Sequence, residues 1–211
     1  MKCEVLLENE RAVVQKFVVQ PGVSIGASTH SGDRLLVFLK GGVLTSPKGR
    51  STLWRDGRVV WQGTANDADR IEVGGINTGA AAMEMICVSL KPVPRASTAA
   101  KPVAHPVYPY VDYPNVPGED LLENERLIVQ RFTVNAGQWE GVHAHHPDTL
   151  YIHLKGGQWA VRSKHEPECT YSESSPDGEV GWMTPIDLSE GHESGNVGAE
   201  PIELIWVTLK H

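Results

Sequence analysis

The sequence predicts an all-β protein built from two tandem β-barrel units joined by a proline-rich linker. Three observations carry this prediction. First, the chain repeats itself: LLENERAVVQKFVVQPG, from Leu6, returns as LLENERLIVQRFTVNAG from Leu121, 115 residues later. At the same offset IGASTHSGDRLLVFLKGG (Ile25 to Gly42) matches EGVHAHHPDTLYIHLKGG (Glu140 to Gly157). MEMICVSLK (Met83 to Lys91) then matches IELIWVTLK (Ile202 to Lys210) at an offset of 119, so the middle loops differ in length, as surface insertions do. Second, 21 Gly and 14 Pro in 211 residues favour short strands and many turns. Third, no stretch sustains a 3.6-residue apolar period, whereas several alternate with period two. Units of roughly 90 residues with short strands suit a small jelly roll or barrel.

Taken in order, Val13, Gln15, Phe17 and Val19 alternate with Val14, Lys16 and Val18, and their β-branched density predicts a strand. LLVFLKGG and LYIHLKGG are short apolar runs stopped by glycine pairs, Gly41-Gly42 and Gly156-Gly157, expected to turn at positive φ. Asp56-Gly57 in LWRDGRVVW predicts a type I′ hairpin, and Asp177-Gly178 repeats the signal. The runs at 83–90 and 202–209 predict the last strand of each unit. The units are expected at 1–91 and 120–211. Between them, residues 92–119 are too rich in proline to run through a sheet. Tyr108, Tyr110 and Tyr113 of this linker are expected to pack along the outside of one barrel.

Composition narrows the function classes. A net charge of −7 with no Lys/Arg run argues against a nucleic-acid partner. No apolar stretch approaches the roughly 20 residues that span a bilayer, and the N-terminal residues lack a signal-like apolar core, so no membrane partner is expected. Cys3, Cys87 and Cys169 form no CxxC pair and read as free thiols, which fits a cytoplasmic protein.

The chemistry concentrates in the second unit. His143 and His145 stand at i and i+2, which on a strand places both imidazoles on one face. His192 follows 47 residues after His145 and offers a third nitrogen from a distant strand. Neutral imidazole is a good ligand for Fe, Zn, Ni or Cu. In the first unit the same offsets put Ser28 at His143, His30 at His145, Arg34 at Thr149 and Val73 at His192. That copy is expected to be metal-free, and its existence means the fold does not require these histidines.

With these residues in hand, the chain resembles the cupin superfamily. Gly137, His143, His145 and Gly156 match the family's first motif, G(X)5HXH(X)3–4E(X)6G, and His192 and Asn196 match the H(X)3N end of its second. The resemblance covers both units and implies a bicupin, two jelly-roll barrels in one chain. It implies one divalent metal ion (Fe, Zn, Ni or Mn) in the second barrel, held by His143, His145 and His192. Two departures stand out: Thr149 occupies the glutamate position, and Pro185-Ile-Asp-Leu-Ser-Glu-Gly-His192 has altered spacing at the start of the second motif. Thr149 and His146 stand as candidates for a fourth position.

With no carboxylate in the motif, Tyr151, His153 and Glu193 are candidate outer-shell groups for handling protons. The resemblance implies a mononuclear metal-dependent enzyme acting on a small organic substrate, dioxygenase-like or isomerase-like by analogy. The alternative is a non-catalytic bicupin that binds a small molecule or uses the metal for stability. A homodimer is compatible with either. The tryptophans of the second unit (Trp139, Trp159, Trp182, Trp206) read first as core and sheet packing, and the LLENER segments as turn and surface residues shared by ancestry.

Overall fold

The computed structural model describes residues 1–26, 32–63, 73–92, 110–145, 148–163, 166–186 and 191–210. Ser28, His30 and His146 lie outside them. The chain divides into two compact units, Met1–Ala96 and Ser97–His211. Among the described residues every strand pairing is antiparallel, and no helix is long and apolar enough to cross a membrane.

Unit 1 contains β1 (Lys2–Glu8), β2 (Ala12–Val19), β3 (Ser24–Ile25), β4 (Arg34–Lys40), β5 (Gly42–Thr45), β6 (Ser51–Trp54), β7 (Val59–Gln62), β8 (Gly75–Asn77) and β9 (Met83–Leu90). They form two sheets, ordered β1-β2-β9-β4-β7 and β3-β8-β5-β6. Unit 2 contains β10 (Glu119–Glu123), β11 (Leu127–Val134), β12 (Thr149–Lys155), β13 (Gly157–Ser163), β14 (Glu166–Ser175), β15 (Val180–Met183), β16 (His192–Asn196) and β17 (Ile202–Leu209). Its sheets run β10-β11-β17-β12-β15 and β14-β13-β16. The registers repeat as the sequence does: Arg34 faces Ser89 in unit 1, and Thr149 faces Thr208 in unit 2.

The repeated sequence marks are structural locks. In each LLENER segment the asparagine closes the turn between the first two strands. Asn9 Oδ1 accepts from the backbone N–H of Arg11 and Ala12 at 2.8 and 2.9 Å, and Asn124 Oδ1 from Arg126 and Leu127 at 2.8 and 3.0 Å. Asn77 Nδ2 donates to the carbonyls of Val19 and Ala81, and Asn196 Nδ2 does the same to Val134 and Glu200. Asn196, matched to the end of the second motif, thus ties strands together and needs no metal to explain it.

Two turn expectations are corrected. The Asp-Gly pairs do not make type I′ hairpins, because β6 and β7, like β14 and β15, belong to different sheets. Only the glycines Gly57 (φ 69) and Gly178 (φ 78) take positive φ, whereas type I′ needs both central residues there. These turns carry the chain across the edge of the barrel. Each aspartate is then free to accept a backbone N–H from the facing glycine pair, Gly41 to Asp56 at 2.6 Å and Gly156 to Asp177 at 2.8 Å.

Those paired glycines, expected at positive φ, are not there. Their small size is needed for close approach instead. A Cβ on Gly41 would stand 2.0 Å from the Trp54 carbonyl oxygen, and one on Gly156 would stand 2.0 Å from that of Ser175.

Each unit closes on its own apolar interior. In unit 1, Leu36, Phe38, Trp54, Val60, Val73, Met83 and Met85 form the cluster, with Phe38 and Trp54 stacked at 4.9 Å. In unit 2 the equivalent cluster holds Phe132, Val134, Trp159, Leu204 and Trp206, together with Val111, Tyr113 and Val116 from the end of the proline-rich stretch. Tyr113, expected on the outside of a barrel, is therefore an interior residue. The segment is fixed by Val111 N–H donating to Gln130 Oε1 (2.8 Å) and Asn115 N–H to the Glu140 carbonyl (3.0 Å). Burying such side chains contributes roughly 1.5–3 kcal/mol each, enough to hold a segment that no ladder retains. Tyr110 remains exposed and donates to Glu123, while Tyr108 lies outside the described residues.

Candidate metal centre

Two backbone bridges assemble the site. His143 N–H donates to the His192 carbonyl at 3.0 Å, and the two residues form an antiparallel bridge. His145 bridges Ile186, two residues along, so both imidazoles of the HxH pair fall on the same side as His192. The rings meet as a cluster: His143 and His145 are stacked at 4.8 Å, His143 and His192 meet edge-on at 4.6 Å, and His145 and His192 lie at 4.8 Å. One nitrogen from each lies within 4.8 Å of the other two.

The hydrogen bonds orient the first ring. His143 Nδ1 donates to the Gly141 carbonyl at 2.9 Å, which leaves its Nε2 lone pair facing His145 Nε2 at 2.8 Å. Gly141 can present that carbonyl because it turns at φ 87 with Pro114 packed where a Cβ would sit.

Two Nε2 atoms facing each other this closely must share one proton, and a cation can take its place. Ligands about 2 Å from one ion can be no more than about 4 Å apart. The 2.8 Å separation fits that limit. His145 Nδ1 is buried without a partner.

Burial keeps the histidines uncharged. It lowers His143 to about 4, with the Gly141 bond opposing it, and lowers His145 to about 3, with His143 and His192 adding to the effect. Burial also lowers His192. Neutral imidazole is the form that ligates a metal. The donor set therefore fits a divalent ion in chemistry, and the His143–His145 pair fits one in separation.

Two residues beside the triad were not legible as site residues. Glu140 is 1% exposed, with its Oε2 4.0 Å from His143 Nε2. Its carboxyl is hydrogen-bonded by Tyr113 and Ser194, yet burial dominates and holds it well above the usual carboxylate range. The Tyr113 ring stands edge-on to His143 at 4.6 Å, and burial pushes its hydroxyl well above the usual phenol range. One signal could have found Glu140: its first-copy counterpart is Ile25, an apolar residue at an inward-facing position. Tyr113 lies ahead of the repeated segment that starts at Leu121 and carries no such signal.

The remaining candidates fall at varied distances. Thr149 is fully buried and its hydroxyl donates to Thr208 at 3.5 Å. Tyr151 and His153 line the same inner face but lie beyond Trp206, whose ring touches His145 at 5.4 Å on one side and Tyr151 at 5.8 Å on the other. His153 Nδ1 is 3.6 Å from Glu179 Oε2, an ion-pair distance longer than a hydrogen bond. Glu193 alternates to the face of β16 opposite His192 and is held by Arg162, whose guanidinium also covers the Trp139 ring at 3.9 Å. In unit 1, Val73 is buried among apolar side chains, and Arg34 donates from Nε to Gln62 Oε1 at 2.6 Å.

No protein-family model and no curated protein matches the chain. Solved structures do. A cupin 2 conserved barrel domain protein from Leptotrichia buccalis superposes with a TM-score of 0.56 at 10% identity, covering 99% of this chain and 88% of that one. AerE from Microcystis aeruginosa gives 0.60 at 11% identity, covering 95% and 88%. A variant of oxalate decarboxylase from Bacillus subtilis gives 0.56 at 12% identity, covering 95% and 69%. At such identities the likeness is one of fold, it spans both units, and it makes this chain a protein of the cupin fold.

Proposed function

We propose that unit 2 binds one divalent metal ion through His143, His145 and His192 and acts on a small organic molecule as a mononuclear metal-dependent enzyme. The carrying observation is the convergence of three uncharged imidazoles, two of them buried, with one nitrogen of each within 4.8 Å of the others. Three protein ligands leave positions for water or substrate, the arrangement of catalytic rather than closed structural sites. The ion supplies Lewis acidity toward a substrate oxygen and, if it is Fe(II), electrons for a dioxygenase-type reaction.

The residues of the chain then divide the work. Gly141 fixes the His143 ring, and Trp206 and Tyr113 exclude water from two sides of the triad. Tyr151 and His153, one ring further in, are placed to contact a substrate that reaches past Trp206. Among the described residues Cys3 and Cys87 are free thiols, which supports a cytoplasmic setting. A second reading, a metal kept for binding or stability without turnover, is favoured by the depth of the ligands, since His143 and His145 are 2% and 6% exposed.

Metal analysis by mass spectrometry, on protein purified without added metal and after reconstitution with Fe(II), Mn(II), Ni(II) or Zn(II), tests the site. About one equivalent is expected. Oxygen uptake by the loaded protein with diketones or catechols separates the enzyme from the binding module.

A further inference from the structure

The first barrel places Ile25 where the second places Glu140, and the backbone frame at that point is the same in both. Gly22 (φ 77) and Gly137 (φ 74) make the same turn, with the Gly22 N–H donating to the Asn77 carbonyl at 2.7 Å and the Gly137 N–H to that of Asn196 at 2.8 Å. Ser24 pairs with Ile76 and Trp139 bridges Gly195, so Ile25 and Glu140 occupy one register position. The frame accepts an apolar side chain there, and Ile25 packs against the unit 1 core. A carboxyl in that place is not required by the fold.

Burying a carboxyl is costly unless something nearby balances it. Glu140 is 1% exposed, and among the described residues the only basic group recorded within 4 Å of it is His143. Its hydrogen-bond partners, Tyr113 and Ser194, are uncharged. The side of His143 that it approaches is Nε2, the nitrogen left bare by the bond from Nδ1 to Gly141. At 4.0 Å, Oε2 and Nε2 are as far apart as two donors on one ion can be.

The group whose donors all lie within 4.8 Å comprises the histidines alone, so the carboxyl stands at the edge of the triad, on the His143 side. The position where a cupin-like motif has its glutamate holds Thr149, an uncharged side chain on β12.

We infer that Glu140 supplies the anionic ligand of the metal centre, so that the donor set is three histidines and one carboxylate delivered from the loop ahead of the HxH pair. This inference rests on the metal-site reading above and deepens it. A carboxylate beside three imidazoles favours an ion that accepts mixed nitrogen and oxygen donors in five- or six-fold coordination, Fe(II) or Mn(II), over a tetrahedral Zn(II) site.

The test is titration of the full-length apoprotein with Co(II), read both by calorimetry and by the visible spectrum of the bound ion. Glu140→Gln keeps the size of the side chain and removes its charge, and Glu140→Ile copies the first barrel. Wild type is expected to bind one Co(II) with the weak absorption of a five- or six-coordinate ion. Both variants are expected to bind about 10–100-fold more weakly, with a spectrum altered toward lower coordination. One Co(II) bound by the variants with unchanged affinity and spectrum would overturn the role of Glu140 and leave the three-histidine site standing. No Co(II) bound by the wild type would overturn both readings.

Discussion

The two barrels share a frame and differ in what faces inward. In the first, Ile25 and Val73 belong to a continuous apolar interior with Leu36, Phe38 and Met85. In the second, Glu140 and His192 stand at the same places, His153 replaces Phe38, and Tyr113 from the preceding segment fills space beside them. The asparagine turns, the close-approach glycines and the Asp-Gly corners are kept in both. The difference teaches that barrel and site are separable: main-chain locks specify the barrel, and a few inward side chains decide whether it is a packed core or a polar pocket.

The sharpest way to break this comparison is to remove two of the proposed ligands from the second barrel. His143→Ala/His145→Ala is expected to reduce bound metal from about one equivalent to none, measured by mass spectrometry of the purified protein. Metal retained by that variant would place a site elsewhere, outside the second barrel's triad.

The next largest effect should be blind to the difference between barrels. Gly41→Ala and Gly156→Ala each drive a Cβ to 2.0 Å from a backbone carbonyl oxygen. Neither backbone can yield without opening the sheet junction, so each variant is expected to lose about 3 kcal/mol or more in urea unfolding. A much larger loss in one copy would show that the shared frame is not equally stressed.

Acid should separate the barrels again. The depressed His143 and His145 are neutral when folded, while in the unfolded chain histidine takes up its proton near pH 6.5. As pH falls below that value the unfolded state binds more protons, and stability of the metal-free second barrel declines until the folded groups titrate, at about 4 for His143 and about 3 for His145. For His143 alone the shift corresponds to about 3 kcal/mol. Urea titrations of apoprotein between pH 7 and pH 4 should show this decline, and His143→Ala/His145→Ala should flatten it.

Smaller still is the asparagine lock. Asn77→Ala and Asn196→Ala each remove two donated bonds to backbone carbonyls, one of them buried, and one accepted from Gly79 or Gly198. A loss of about 2–3 kcal/mol is expected in either copy, with metal affinity altered little by the first. Thr149→Val should matter least, about 1 kcal/mol in thermal unfolding and no change in metal content, because the hydroxyl is directed to Thr208.

Much of this was legible from the residues. Strand alternation around Val13 to Val19 and the apolar runs before each glycine pair placed strands because period two and β-branched density act locally. The HxH spacing and distant His192 announced the triad because alternation along a strand is a local rule too. The Asp-Gly signals located turns correctly but not their type, since which sheet the next strand joins is a long-range choice. Glu140 was missed because its importance lies in what surrounds it, and Tyr113 because a proline-rich segment gives no periodicity from which to infer burial.

By itself, then, the sequence determined the duplication, the all-β class, the positions of the turns and the three histidines, since each is written in local spacing or self-similarity. Only the tertiary structure decided that His143 Nε2 is the bare nitrogen, that a tyrosine from the proline-rich stretch lies against it, and that Glu140 is buried beside it. Those facts depend on which distant backbone donates, accepts or excludes water at one point in space, and chain order does not encode that directly.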